Sequence, residues 1–444
     1  MEGICEVKFR EHISLLSFSN SDKILNSLYY ADIFFGDFRR MVVETLSTRV
    51  LLIGFTLITS VVMARILGPE GRGLYAVAAS MGALGVQFGN LGLHASNTYY
   101  GARDKTLLPA LLGNTFLVSF GFGGLIAVVA WIIFSKWPHL APIQQMLLWL
   151  SLAYIPFGLG YMLLQNLLLG IQKIRAYNIV ELINRILVIV LIGLAIIFKV
   201  VNVETVFTTS LVASGICLLL MVWLIWAFLK RFPMPSLGVL KENVHYGVKV
   251  YLTDLFSFVT LRMNLLIVQY MLGAENVGYY SIAIALTDAI YVFPMVIGAL
   301  LFPRLSAMDK SDKKWEFTVK VTYGVAFQMA GACVIIAFFA KPLILLLYGN
   351  SFAPSIPLVY LSLISIYFLS IQGILVKYLA ACGYPSSIMW TWFAILLVSL
   401  PVNIIFISTM GLPGAMYASI VINFILMLQI IYLSVRHHLS VELK

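Results

Sequence analysis

Apolar runs follow one another from residue 46 to residue 435 with little interruption. A helix needs about 20 apolar residues to cross the hydrocarbon core of a bilayer. Twelve stretches reach roughly that length: 46–67, 74–93, 107–134, 144–169, 179–198, 205–229, 246–271, 278–302, 317–340, 355–379, 387–408 and 412–435. The expectation is an all-α polytopic membrane protein. Composition agrees, because a chain that is 61% hydrophobic and 11% charged would leave too much apolar surface in water as a soluble domain.

The net charge of +10 would suit nucleic acid in a soluble protein. In a polytopic chain it reads as Lys and Arg holding cytoplasmic loops in place, so no nucleic-acid partner is expected. Arg39, Arg40, Arg103, Lys105, Lys173, Arg175, Lys230, Arg231, Lys241, Arg304, Lys310, Lys313, Lys314 and Arg436 fall in one alternating set of loops. The other set holds Arg72, Lys136, Lys199 and Lys341. The rich set is expected to be cytoplasmic, with both termini inside. The corresponding division is an N-terminal cytoplasmic segment 1–45, an N-lobe 46–229, a cytoplasmic linker 230–245, a C-lobe 246–435 and a tail 436–444. The first forty residues lack a cleavable signal layout, and Met41, just before the first span, is a candidate start.

An eleven-residue pattern, G-x-E-x-x-G-x-Y-x-x-A, occurs twice at an offset of 205 residues. One copy is Gly68, Glu70, Gly73, Tyr75 and Ala78; the other is Gly273, Glu275, Gly278, Tyr280 and Ala283. Each sits between two apolar runs, six spans apart, so both face the same, outward side. That makes a parallel repeat of two six-helix lobes with a cleft between them. The glycines read as tight turns where helices crowd.

The stretch Ala64–Tyr75 resembles the first loop of the polysaccharide-exporting branch of the MOP flippase superfamily. Arg262-Met263-Asn264, Gly273 to Ala283, Pro303-Arg304-Leu305-Ser306 and Leu347-Tyr348-Gly349 carry the same likeness, which runs from Met41 to the C-terminus and is nearest to Wzx-type O-antigen or exopolysaccharide flippases. The resemblance implies twelve helices in two lobes, alternating access across a bacterial inner membrane, and a polyprenyl-pyrophosphate-linked oligosaccharide as cargo. It also implies polysaccharide polymerase and chain-length proteins as partners. Many relatives carry an acidic residue where this chain has Asn264.

A flippase breaks no covalent bond and needs no cofactor, so the candidate residues are those that make a polar route. Charges inside spans are costly: Arg49, Glu181, Arg185, Lys249, Asp254, Arg262, Asp288 and, near an inner end, Lys377. Lys249, Thr253, Ser257, Thr260 and Asn264 fall within roughly an 80° arc of one helix and are expected to line a wet cavity, the alternative being interhelical hydrogen bonding. Arg262 points away from that arc on ideal geometry. Arg49, Thr56 and Ser60 form a thinner stripe on the first span, and Ser80, Gln87 and His94 on the second. His94 reads as a capping or loop residue.

Arg49 and Lys249 are the sequence's candidates for the diphosphate, and Tyr251, Tyr291 and Trp390 for sugar stacking. Asp288, near mid-membrane with no basic residue one turn away, is the first candidate for ion coupling, and Asp254 is the second. The 205-residue offset maps Arg49 onto Asp254, which suggests a contact across the cleft; local pairing of each is the competing expectation. Glu181 and Arg185, four apart, are expected to neutralise each other. No metal-ligand or nucleophile motif is present, and the four cysteines show no CxxC spacing. A MATE-like multidrug antiporter is the nearest alternative function, disfavoured by in-span charges that are balanced to slightly basic. A multispan polysaccharide polymerase or ligase is the enzymatic alternative, disfavoured by short outer loops.

Overall fold

The computed structural model describes the backbone of residues 20–229, 231–308, 311–383 and 385–442. Side chains are described from Ser47 to Ser440, apart from Lys230, residues 309–311 and Tyr384. Arg39, Arg40, Lys230 and Lys310, used above for orientation, lie outside those. The chain divides into two compact units, Met1–Leu51 and Leu52–Lys444; the second holds the helices and cavities below.

All regular structure among the described residues is helical. α1 runs Asn20–Gly89, α2 Leu93–Arg103, α3 Leu108–Phe116, α4 Gly123–Lys136, α5 Gln145–Gly170, α6 Ile174–Ile197 and α7 Val203–Trp226. The second half has α8 Leu237–Leu272, α9 Ala274–Ser306, α10 Ser311–Leu347, α11 Ser355–Ala381, α12 Ser387–Met410 and α13 Leu412–Glu442. A short π-helical stretch, Leu117–Phe122, joins α3 to α4 into one crossing.

Eleven helical segments are long and apolar enough to cross a bilayer. The first of them, Ser47–Gly89, has 43 residues, or about 65 Å of helix, twice the hydrocarbon thickness. It is broken in the middle: Gly68 takes φ 67° and ψ −176°, a conformation open to glycine because it has no Cβ. Pro69 follows, where its missing N–H costs nothing at a helix start. Two arms result, which brings the candidate crossings among the described residues to twelve, as the apolar runs predict. Gly273, the matching glycine, has φ 84° and ψ 175° and separates α8 from α9. The two copies of the repeat thus fold into the same kink.

Within the first half α5 is central, packed by α2, α4 and α7; within the second, α11 packs on α9, α10 and α13. α2 and α3 reach across to α8. One apolar core joins both halves at the repeat, with Ala76, Val77 and Ala78 in the same cluster as Val277, Tyr280 and Ala283. Separate cores fill each half, around Leu164 and Met221 in the first and around Leu375 and Trp392 in the second. Large apolar side chains such as Phe327 (83% exposed) and Phe338 (78%) point outward, as lipid-facing residues do. Lipid tails compete equally for such surface, so helix association depends on close packing at small residues and on polar contacts.

Candidate functional site

The two motif copies meet each other. A methyl group on Gly73 would lie 1.7 Å from the Ala274 carbonyl oxygen, and one on Gly278 would lie 2.0 Å from the Pro69 carbonyl oxygen. Ala274 and Pro69 are equivalent positions in the repeat, so this is a symmetric backbone-to-backbone contact. Hydrogen bonds around it keep the symmetry. Arg65 donates through Nε to the Leu347 carbonyl at 2.7 Å and also to the Leu346 carbonyl. At the matching place Gln269 donates to the Pro142 carbonyl at 2.7 Å and the Tyr270 hydroxyl donates to the Leu140 carbonyl.

A second contact lies roughly 38 Å away along α8, at 1.5 Å per residue. Here a methyl on Gly247 would lie 2.3 Å from the Gly92 carbonyl oxygen. Tyr99 and Tyr246 stack with ring centroids 4.4 Å apart, and the Tyr251 hydroxyl donates to the Phe88 carbonyl at 3.0 Å. His94 Nε2 lies 3.1 Å from Asp254 Oδ2, while its Nδ1 meets Asn90 Nδ2. His94, read from sequence as a cap or loop residue, is therefore a bridge between the halves.

Between these contacts, four cavities among the described residues adjoin one another through shared lining side chains. The N-lobe cavity, about 300 Å³, is lined by Thr56, Ser60, Arg72, Tyr75, Asn184 and Arg185 among others. The C-lobe cavity, about 210 Å³, is lined by Thr260, Arg262, Asn264, Asp288, Ser419 and Asn423 among others. A central cavity of about 300 Å³ shares Arg72, Tyr75 and Ala79 with the first and Arg262, Ile284 and Asp288 with the second. A fourth, about 330 Å³, lies toward the His94 end and holds Thr253, Asp254, Ser257, Tyr291, Gln372, Lys377 and Trp392. Tyr75 and Tyr280, equivalent in the repeat, sit in the N-lobe and C-lobe cavities respectively.

Asn264 shows how its cavity is wired. Its Nδ2 donates to Ser419 Oγ at 2.7 Å, and Ser419 itself donates to the Ala415 carbonyl at 2.9 Å. The serine hydrogen is spent, so Asn264 must donate there and turn its Oδ1 elsewhere. That oxygen is buried and meets no partner; the same holds for Asn423 Oδ1, whose Nδ2 donates to Ser365 Oγ at 2.8 Å.

The span-seven stripe divides. Thr253 and Ser257 border the cavity at the His94 end, Thr260 and Asn264 the C-lobe cavity, and Lys249 is exposed and borders none of the four. Gln87 is half-buried outside them. Arg49 is half-buried in the unit 1–51, and Asp254 is held by His94. Tyr291 lines two cavities, whereas Trp390 is 60% exposed beside Phe393. Arg262, expected to point away, lines the C-lobe and central cavities, because α8 borders a cavity on more than one side. Arg72 was missed. Its neighbours Pro69, Glu70, Gly71 and Gly73 read as a loop, yet the helix resumes directly after Gly68 and turns Arg72 inward, 8% exposed. The signal available was its place one turn after a kinking glycine.

A family profile described as "Polysaccharide biosynthesis protein" matches residues 62–357. No curated protein matches the chain. Among solved structures, an inward-facing multidrug resistance MATE family transporter of the MOP superfamily aligns with TM-score 0.70 at 16% identity, over 90% of this chain and 99% of that one. The lipid II flippase MurJ in an inward closed conformation aligns with TM-score 0.67 at 14% identity, over 88% of this chain and 86% of that one. A MOP superfamily transporter from Pyrococcus furiosus, described as having a binding pocket of reverse polarity, aligns with TM-score 0.59 at 16% identity over 89% and 96%. At these identities the likeness is one of fold.

Proposed function

Because this chain belongs to the polysaccharide biosynthesis protein family and has the fold of MOP superfamily transporters, we propose that it is a flippase. Its cargo is a polyprenyl-pyrophosphate-linked oligosaccharide, an O-antigen or exopolysaccharide repeat unit. The cargo moves from the inner to the outer leaflet of a bacterial inner membrane. The observation that carries this reading is the charge of the adjoining N-lobe, central and C-lobe cavities, where Arg72, Arg185 and Arg262 stand against one carboxylate, Asp288. An excess of cations in a low-dielectric cavity favours an anionic cargo and disfavours a cationic drug.

The two lobe–lobe contacts act as alternating gates around the cavities: the repeat closes the outer side and the Gly92–Gly247 contact the inner side. Both termini are cytoplasmic, and the lobes divide at the 230–245 linker. The hydroxyls and amides of Thr253, Ser257, Thr260 and Asn264 exchange hydrogen bonds with sugar hydroxyls, and Asp288 is the coupling-ion candidate. No bond is made or broken, so the protein is a transporter and not an enzyme. Reconstitution tests the reading. Proteoliposomes holding the protein should move a fluorescent polyprenyl-pyrophosphate oligosaccharide between leaflets, and a depleted strain should accumulate such lipids on the cytoplasmic leaflet. Flipping no faster than in empty vesicles would reject it.

A further inference from the structure

Where α8 meets α2 and α3, two asparagines are buried and are treated in opposite ways. Asn114 on α3 and Asn243 on α8 are both 0% exposed. Asn114 is matched at both ends of its amide. Its Nδ2 donates to the Ser236 carbonyl at 3.1 Å, and its Oδ1 accepts from the Ser236 amide at 2.8 Å. Asn243 is matched at neither end: its Nδ2 and Oδ1 are buried, and neither meets a hydrogen-bond partner among the described residues. Its position supplies the reason. Residues 240, 243, 244 and 247 share one face of α8. Leu240 and Val244 pack against an apolar core formed by Leu93, Val118 and Leu163 of the first half. Gly247 draws the backbones together one turn further on, against Gly92. Asn243 is thereby pressed into apolar surroundings. A buried amide without partners is a larger loss than a matched one is a gain. That loss exists only while the contact is closed, because parting α8 from α2 gives both ends of the amide to water.

We propose that Asn243 is a built-in release for this contact, a side chain that destabilises the closed state so that it can reopen in each cycle. The inference rests on the reading of the Gly92–Gly247 contact as a gate. The attachments it works against are the stack of Tyr99 on Tyr246, the Tyr251 hydroxyl bond to the Phe88 carbonyl and the His94–Asp254 pair. Asn114 belongs with these fasteners. An apolar side chain of similar size at 243 would complete the core around Leu93 and Val118 and shift the balance toward closure. Two gates that close in turn need closed and open states of similar free energy, since a strongly favoured state leaves the other unpopulated. The unmatched amide supplies that balance locally, with no ligand and no charge.

The test is a distance measurement between spin labels on the full chain in nanodiscs. The labels are carried by Lys105→Cys and Lys241→Cys, both at exposed positions, in a background without other cysteines. With Asn243 in place, a short closed distance and a longer open one should both be populated. Asn243→Leu should deplete the open population about tenfold, raise the thermal unfolding midpoint and slow flipping in proteoliposomes. Asn114→Leu loses two matched bonds and should do the reverse to the first two, lowering the midpoint and enlarging the open population. Asn243→Ala adds no bulk and should also deplete the open population, so the test stands even where the leucine variant fails to fold. If either variant of Asn243 enlarges the open population, the amide is a fastener and the proposal is overturned. An open population unchanged in both variants overturns it equally. If the labels hold the short distance alone while cargo is flipped, the contact is no gate; the proposal falls and the flippase reading survives. If cargo is not flipped but the open population responds as expected, the release stands and the flippase reading fails.

Discussion

The two lobes carry cavities built on equivalent tyrosines, Tyr75 and Tyr280, but the groups they leave unmatched are opposite in kind. In the N-lobe the unmatched nitrogens are donors, Arg72 Nε and Asn184 Nδ2, beside the Ser60 hydroxyl, which can take either role; in the C-lobe the unmatched amide oxygens of Asn264 and Asn423 are acceptors, beside Asp288. At the motif end the same two halves are nearly interchangeable. A duplicated fold has kept its mechanics symmetric where the lobes close and has let its chemistry diverge where a cargo would sit.

The largest expected effect tests the symmetric part. Gly73→Val and Gly278→Val each place atoms inside a facing backbone carbonyl. Overpacking of about 3 kcal/mol on the closed state alone would cut its population about 100-fold. Both should therefore stop flipping in proteoliposomes to a similar extent, and one glycine tolerating valine would break the symmetry argument. Next is Asp288→Asn, expected to lower flipping about tenfold, a loss of about 1.4 kcal/mol, and to remove its response to an imposed ion gradient. Unchanged, gradient-dependent flipping would remove Asp288 from the coupling role.

A smaller effect compares the tyrosine and asparagine wiring. Tyr75→Phe breaks the 3.1 Å contact to Ser210 and Asn264→Leu the one to Ser419. Each should cost about 1 kcal/mol of stability, read as a lower unfolding midpoint, but Asn264→Leu should also alter discrimination between sugars. Equal discrimination in the two variants would count against a sugar-reading C-lobe. The smallest effect lies outside both cavities. Asp104 accepts from the Thr106 hydroxyl at 2.7 Å and the Thr106 amide at 2.8 Å, and these bonds, the hydroxyl first, hold its carboxyl below the usual value of about 3.9. A depressed folded pKa stabilises above the unfolded value and the gain is lost as pH falls through the folded one. Thr106→Ala should therefore melt slightly earlier than wild type at pH 7, and the difference should close on acidification through the carboxylate range. A constant difference across that range would assign the effect to something other than Asp104.

Most of the architecture is legible in the sequence because bilayer thickness sets helix length, and the repeat fixes how the halves correspond. Side-chain direction is less legible. A helical wheel with one wet face turns Arg262 away from the cavity, whereas α8 borders cavities on more than one face. Arg72 was hidden by glycines and a proline that ordinarily mark a loop, although only Gly68 leaves helical geometry. His94 follows Gly92, whose φ of 82° redirects the chain into α2, a change of course that apolar periodicity does not record. This turn is what brings His94 to Asp254.

The bonds that fasten the motif end have an unequal division of labour. Arg65, Gln269 and Tyr270 supply side chains, but what they grip at Leu140, Pro142, Leu346 and Leu347 is main-chain oxygen. Every residue type presents that oxygen. The gripped side can therefore exchange its side chains without altering the latch, while the gripping side cannot, so mutational tolerance should differ between the two faces of one contact.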